Sequence, residues 1–159
     1  MRALVLISIL VTAGPAQLTA NGVRVVAPAG WHRVTVVEDP HVTDPRTVLV
    51  AGTAGVRPRT TACQIAAYTV PPRGAVVVIV RWRRGHLPST APTHDDRHEL
   101  ARLSTVRRPS FECFRGRGAA AQVALGGHLY QLSVMVGDDA SARQVDDALA
   151  VARSFALAR

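Results

Sequence analysis

Lysine is absent from this 159-residue sequence, so all 19 basic residues are arginine, set against 11 acidic ones. The formal net charge of +8 is therefore carried by guanidinium groups, which do not lose their protons in the accessible pH range. An alanine-, valine- and arginine-rich chain without lysine is also what a GC-rich genome writes, so part of this charge reflects coding bias rather than a partner. Aromatic residues are scarce, at 4%. No apolar run reaches the roughly 18 residues of a bilayer span and no period of about 20–50 residues repeats, which excludes multispanning membrane proteins and solenoids. The length excludes a multidomain enzyme, and a hydrophobic fraction of 48% excludes a disordered tail.

What is present begins with an export signal. Met1-Arg2 supplies a short positive end, residues 3–13 an apolar stretch, and Leu18-Thr19-Ala20 a small-residue ending. The apolar core of about 11 residues is too short to span a membrane, and the pattern is that of a secretory leader. Cleavage is expected after Ala20, with Ala16 as the second choice; the competing reading is a buried N-terminal strand over 7–11. The expected organisation is a leader over 1–20 and a single domain over 21–159, secreted or extracytoplasmic, with no transmembrane span in the mature chain. No cysteine lies near the cleavage region to carry a lipid anchor. In such a compartment the two cysteines, Cys63 and Cys113, are expected to pair, closing a loop worth about 4 kcal/mol on the chain-entropy model; two unpaired buried thiols are the alternative.

Hydrophobic patterning predicts strands over 23–27 and 33–37, joined as a hairpin by Pro28-Ala29-Gly30-Trp31, then strands over 47–51 and 62–70. The apolar run over 75–82, bounded by Pro71-Pro72-Arg73-Gly74, predicts a strand covered on both faces at the sheet centre. The polar stretch over 83–109 holds a candidate helix over 93–103. Strands follow over 110–115, 119–125 and 128–136, the last two in a tight hairpin through Gly126-Gly127. In the last strand His128, Tyr130, Leu132, Val134 and Val136 share one face, and Leu129, Gln131, Ser133 and Met135 lie on a partly wet one. Ser141 and Gln144 have capping-box spacing before a helix whose Val145, Leu149, Ala152 and Phe155 recur at helical intervals. The fold class is α+β: a mainly antiparallel sheet covered by a C-terminal amphipathic helix.

Two segments, Val26-Ala27-Pro28-Ala29-Gly30-Trp31 and the run from Tyr130 to Val136 leading to a helix that closes with Ala152-Arg153-Ser154-Phe155, resemble the start and finish of PsbP-like α/β/α sandwich domains. The resemblance spans about 40 residues in two pieces. It implies an exported accessory or binding role and carries no catalytic residue across.

Three basic clusters stand at predicted strand ends or loops: Arg81, Arg83 and Arg84 around Trp82, then Arg107 and Arg108, then Arg115 and Arg117. The planar guanidinium fork suits carboxylate and phosphate oxygens, so the seven arginines are candidates for an anion-binding surface. For an exported protein the expected partner is an anionic envelope polymer, an acidic lipid surface or an acidic protein, and not nucleic acid; a set of unrelated solvated arginines is the competing reading. The alternative chemistry lies in His94-Asp95-Asp96-Arg97-His98-Glu99. On a helix capped by Thr93, His94 and His98 would share one face at the i, i+4 spacing with which two imidazoles grip a metal ion, as in a metal-dependent hydrolase. No third ligand is identifiable, Asp95 stands where a zinc protease carries glutamate, and no Gly-x-Ser-x-Gly elbow occurs. The reading is a non-catalytic binding module of the cell envelope without a cofactor.

Overall fold

In a computed structural model that describes residues 14–38, 41–60, 63–82, 94–104, 106–107 and 113–159, the first ordered element lies before the expected cleavage point. Asn21 and Gly22 both take left-handed backbone angles, φ 47° and 79°. They make the two-residue turn that Asn-Gly favours between antiparallel strands. The strands are β1 (Ala16–Ala20) and β2 (Val23–Ala27), paired from Ala20↔Val23 to Ala16↔Ala27. Residue 20 is thus the last residue of a strand within a hairpin. Leu18 and Ala20 pack against the core, Arg33 Nη1 donates to Thr19 O at 3.0 Å, and Asn21 Nδ2 donates to Val48 O at 2.8 Å.

The expected hairpin across Pro28-Ala29-Gly30-Trp31 does not form. The turn is there, with Gly30 at φ 87° and Trp31 N–H donating to Pro28 O, but the strands on either side enter different sheets. β2 lies between β1 and β11 (Ala156–Leu157) in a three-stranded sheet. β3 (Trp31–Arg33) opens a six-stranded antiparallel sheet of order β3-β4-β7-β10-β9-β8, where β4 is Arg46–Thr53, β7 Ala75–Trp82, β8 Val106–Arg107, β9 Arg117–Leu125 and β10 His128–Val136. A two-residue ladder joins β5 (Arg57–Pro58) to β6 (Tyr68–Thr69). The strand expected over 62–70 shrinks to β6. Cys113, Phe114 and Arg115 lie in no strand, and the rest of the segment expected over 110–115 lies outside the described residues.

β7 occupies the interior of the large sheet, as its unbroken apolar run predicts, and residues 75–80 are buried. Alternation sends Ala75, Val77 and Ile79 to one face and Val76, Val78 and Val80 to the other. The first face holds the larger core, with Tyr130, Leu132 and Val134 of β10, Val23 and Val25 of β2, and Phe155. The helix α2 (Ala142–Arg153) contributes Val145, Ala148, Leu149, Val151 and Ala152 to the same cluster and touches β2, β7 and β10. Its capping box is complete: Gln144 N–H donates to Ser141 Oγ at 3.3 Å and Ser141 N–H to Gln144 Oε1 at 2.9 Å.

The second face, read from period two as partly wet, is buried except at the half-exposed Gln131. Leu129, Ser133 and Met135 are all buried, and Met135 packs in a second cluster with Val34, Val56, Ala66, Ala67 and Tyr68, which come from loops and the two-residue β6. These segments have no periodicity of their own, so nothing in the strand pattern announces a second core. The Cys63–Cys113 disulfide, with Cα atoms 6.2 Å apart, belongs to this layer. Architecture is therefore α+β with mainly antiparallel sheets, and among the described residues no helix is long and apolar enough to cross a membrane.

Candidate functional site

Of the seven arginines expected to form one surface, the side chains of Arg81, Arg115 and Arg117 are described, and Arg81 and Arg117 stand at opposite ends of the large sheet. Arg81 pairs in register with Tyr130, which pairs with Val123, whereas Arg117 stands opposite Val136 at the other end of the same strands. Six residues of β9 separate the two levels, about 20 Å at the rise of an antiparallel strand. Burial raises the Tyr130 phenol above its ordinary value, and the neighbouring Arg81 guanidinium pulls it partly back. Arg83, Arg84 and Arg108 lie outside the described residues, and of Arg107 only the backbone, paired with Arg117, is described. Arg117 Nη1 donates to Ala140 O at 3.2 Å.

The helix expected over 93–103 is shorter than its sequence suggests. Helix α1 is a single turn, His98–Ala101, so His94 lies before it and the two imidazoles are not stacked on one helical face. The acids that would have helped a metal are engaged with main chain. Gly126 N–H donates to Asp95 Oδ1 at 2.9 Å, Gln122 N–H to Glu99 Oε2 at 2.6 Å, and His98 N–H to Asp96 Oδ1 at 2.8 Å. Asp96 and Ala124 exchange backbone bonds at 2.9 and 3.1 Å. Short acidic side chains compete with helical hydrogen bonding in this way, and here they tie residues 95–99 along the outer edge of β9 beyond β8. Among the described residues no group of three or more His, Cys, Asp or Glu side chains could hold a metal ion.

One member of the predicted set, Arg115, faces a groove of about 380 Å³ beside the disulfide. One wall carries Arg59, Tyr68 and Thr69, and the other Cys113, Phe114 and Arg115; Gly137 and Asp138 line it as well. Each wall is built for its position. Arg59 follows β5, its N–H donates to Ala67 O at 3.0 Å, and its Nε and Nη2 both donate to Ala66 O at 3.0 and 2.8 Å. On the other wall Cys113 has a left-handed φ of 58°, and Gly116 leaves room for the Phe114 ring, which would stand 2.8 Å from a Cβ there. Gly137 is required by close approach: a Cβ would lie 2.1 Å from Pro71 O, and the Gly137 N–H donates to Gly74 O. Burial pushes the Tyr68 phenol above its usual value, partly offset by the hydrogen bond that its oxygen accepts from Val37 N–H at 3.2 Å.

Two arginines therefore line a partly apolar groove, with Asp138 as its one acidic lining residue. Arg59 was not singled out by sequence. It lies four residues before Cys63, as Arg115 lies two after Cys113, so the disulfide pairing itself was the available signal. A larger groove of about 470 Å³ between Asn21, Thr35 and Leu49 has Arg33 as its one charged lining residue, already directed to Thr19 O.

Elsewhere the arginines also hold backbone carbonyls. Arg24 Nε donates to Leu157 O, Arg46 Nε to Thr43 O, and Arg97 Nη2 to Phe155 O. A carbonyl accepts a hydrogen bond without neutralising the cation, so these contacts fix the side chains and leave their charge in place.

No protein-family model matches the chain, and no curated protein matches it.

Proposed function

We propose that this chain is an exported, non-catalytic binding module of the cell envelope that recognises an acidic segment of a protein partner in the groove between Arg59 and Arg115. The observation that carries the reading is that Arg59 and Arg115 line one groove beside a disulfide. Arginine and carboxylate meet through paired, charge-assisted hydrogen bonds. The concave form and the Tyr68, Val70 and Phe114 lining suit a peptide segment better than a flat lipid surface. A disulfide is compatible with an extracytoplasmic location, where such bonds persist. In this reading α2 covers one face of the sheet in the manner of a PsbP-like domain; cleavage after Ala20 would strip β1 from β2, whereas cleavage after Ala16 would leave four of the five ladder pairs.

The test compares two double variants that lose the same charge, Arg59→Gln/Arg115→Gln and Arg143→Gln/Arg153→Gln, in binding a glutamate-rich peptide. The groove variant is expected to lose affinity by about tenfold or more and the helix variant by about twofold or less. Arg115→Gln alone, which leaves the Arg59 contact with Ala66 intact, is expected to lose most of the same affinity. Equal losses in the two double variants would reduce the interaction to diffuse electrostatics, and binding to anionic vesicles but not to peptide would move the assignment to a lipid surface.

A further inference from the structure

We propose that the Cys63–Cys113 disulfide gates this groove: reduction by a dithiol lets the two walls part and abolishes binding while the sheet and α2 stay folded. The inference rests on the groove being the binding site. Its first support is placement. The bridge is the covalent link between the segment that presents Arg59 and the segment that presents Arg115, and Cys113 itself lines the groove. Among the described residues, the hydrogen bonds of Arg59 run to Ala66 and Ala67 of its own segment.

The second support is conformational. Cys113 holds a left-handed φ of 58°, a region unfavourable for a residue with a Cβ. Once the bridge is open, that turn is free to relax toward an ordinary backbone angle and carry Phe114 and Arg115 with it. Access is asymmetric, since Cys113 is exposed and Cys63 is buried. The main core on the other face of the sheet contains neither cysteine, which is why the fold is expected to outlast the bridge.

The exchange balances as follows. A thiolate of the dithiol attacks Sγ of Cys113, forming a mixed disulfide and releasing the Cys63 thiolate, which takes a proton. The second thiol of the reductant then attacks its own sulfur in the mixed disulfide and frees Cys113 as a thiol. Two electrons and two protons pass to the protein, and the reductant leaves as its cyclic disulfide.

The experiment measures affinity of the full chain for the same glutamate-rich peptide in four forms: oxidised, reduced with dithiothreitol, reoxidised, and Cys63→Ser/Cys113→Ser. Hydrogen exchange of each form reports β10 and 113–116 separately. The expected result is an affinity about tenfold lower in the reduced and serine forms and restored on reoxidation, with faster exchange at 113–116 and unchanged protection in β10. Unchanged affinity after both thiols are shown to be free would overturn the gate while leaving the groove assignment standing. Joint loss of β10 protection would overturn it too, by making the bridge a staple of the whole fold. Absence of binding by the oxidised protein would instead remove the groove assignment, and the gate with it.

Discussion

Tyr68 and Tyr130 are the only tyrosines in a chain that has no lysine and whose two cysteines are bridged, so they are the side chains that govern its alkaline titration. Burial raises both phenols; at Tyr130 the neighbouring Arg81 guanidinium pulls partly the other way. Above the usual value of 10.0 the unfolded chain releases protons that the folded chain keeps. Stability is therefore fully present below that pH and falls as pH rises through the folded values. Alkaline titration followed by tyrosine difference absorbance and circular dichroism should show phenolate appearing together with unfolding, and Tyr68→Phe should weaken the dependence. Phenolate formation at its ordinary pH in a fully folded protein would contradict this. At the start of α2, Ser141→Ala removes the acceptor for Gln144 N–H and should cost about 1 kcal/mol in denaturant titration. Phe155, fully buried with its ring centroid 5.0 Å from that of Tyr130, should cost about 3–5 kcal/mol when replaced by alanine.

β1 sets the sharpest expectation among the elements. A chain beginning at Gln17 keeps four of the five ladder pairs with β2, whereas one beginning at Asn21 loses all five together with the Leu18 and Ala20 contacts. The shorter chain should lose about 2 kcal/mol or more, a fall of roughly 4–8 °C in melting temperature, and equal melting of the two would show β1 to be dispensable. Elements with a local signature were legible in sequence. The run over 75–82 gave β7, Gly126-Gly127 gave the β9–β10 hairpin through its two left-handed residues, and Ser141 with Gln144 gave the helix start. Asn21-Gly22 is an equally strong hairpin signal, but it was hidden because one of its flanking strands also reads as the end of a leader. The two-residue strands β5, β6, β8 and β11 are too short for any periodicity to register. Of the candidate site Arg115 and the disulfide beside it were legible. Arg59 reaches it through a disulfide between residues 50 apart, a proximity that spacing does not encode.

Across the whole molecule the positive charge is spread over both sheets and α2, and arginines fixed on carbonyls keep it unneutralised, so nonspecific attraction to polyanions is expected at low salt and should fade as the Debye length shrinks to about 8 Å at physiological strength. A localised site must persist above that background. The bridge contributes through the denatured chain as well, with a 50-residue separation worth about 4 kcal/mol on the loop-entropy model, so reduction should lower the denaturant midpoint even where the fold persists. The central claim is that recognition resides in one groove rather than in net charge. It is tested most directly by amide chemical-shift mapping while a glutamate-rich peptide is titrated in at physiological salt. The account predicts saturable shifts concentrated at Arg59, Tyr68, Thr69, Arg115, Gly116 and Gly137; shifts of similar size around Arg33, Arg46, Arg143 and Arg153, rising without saturation, would contradict it.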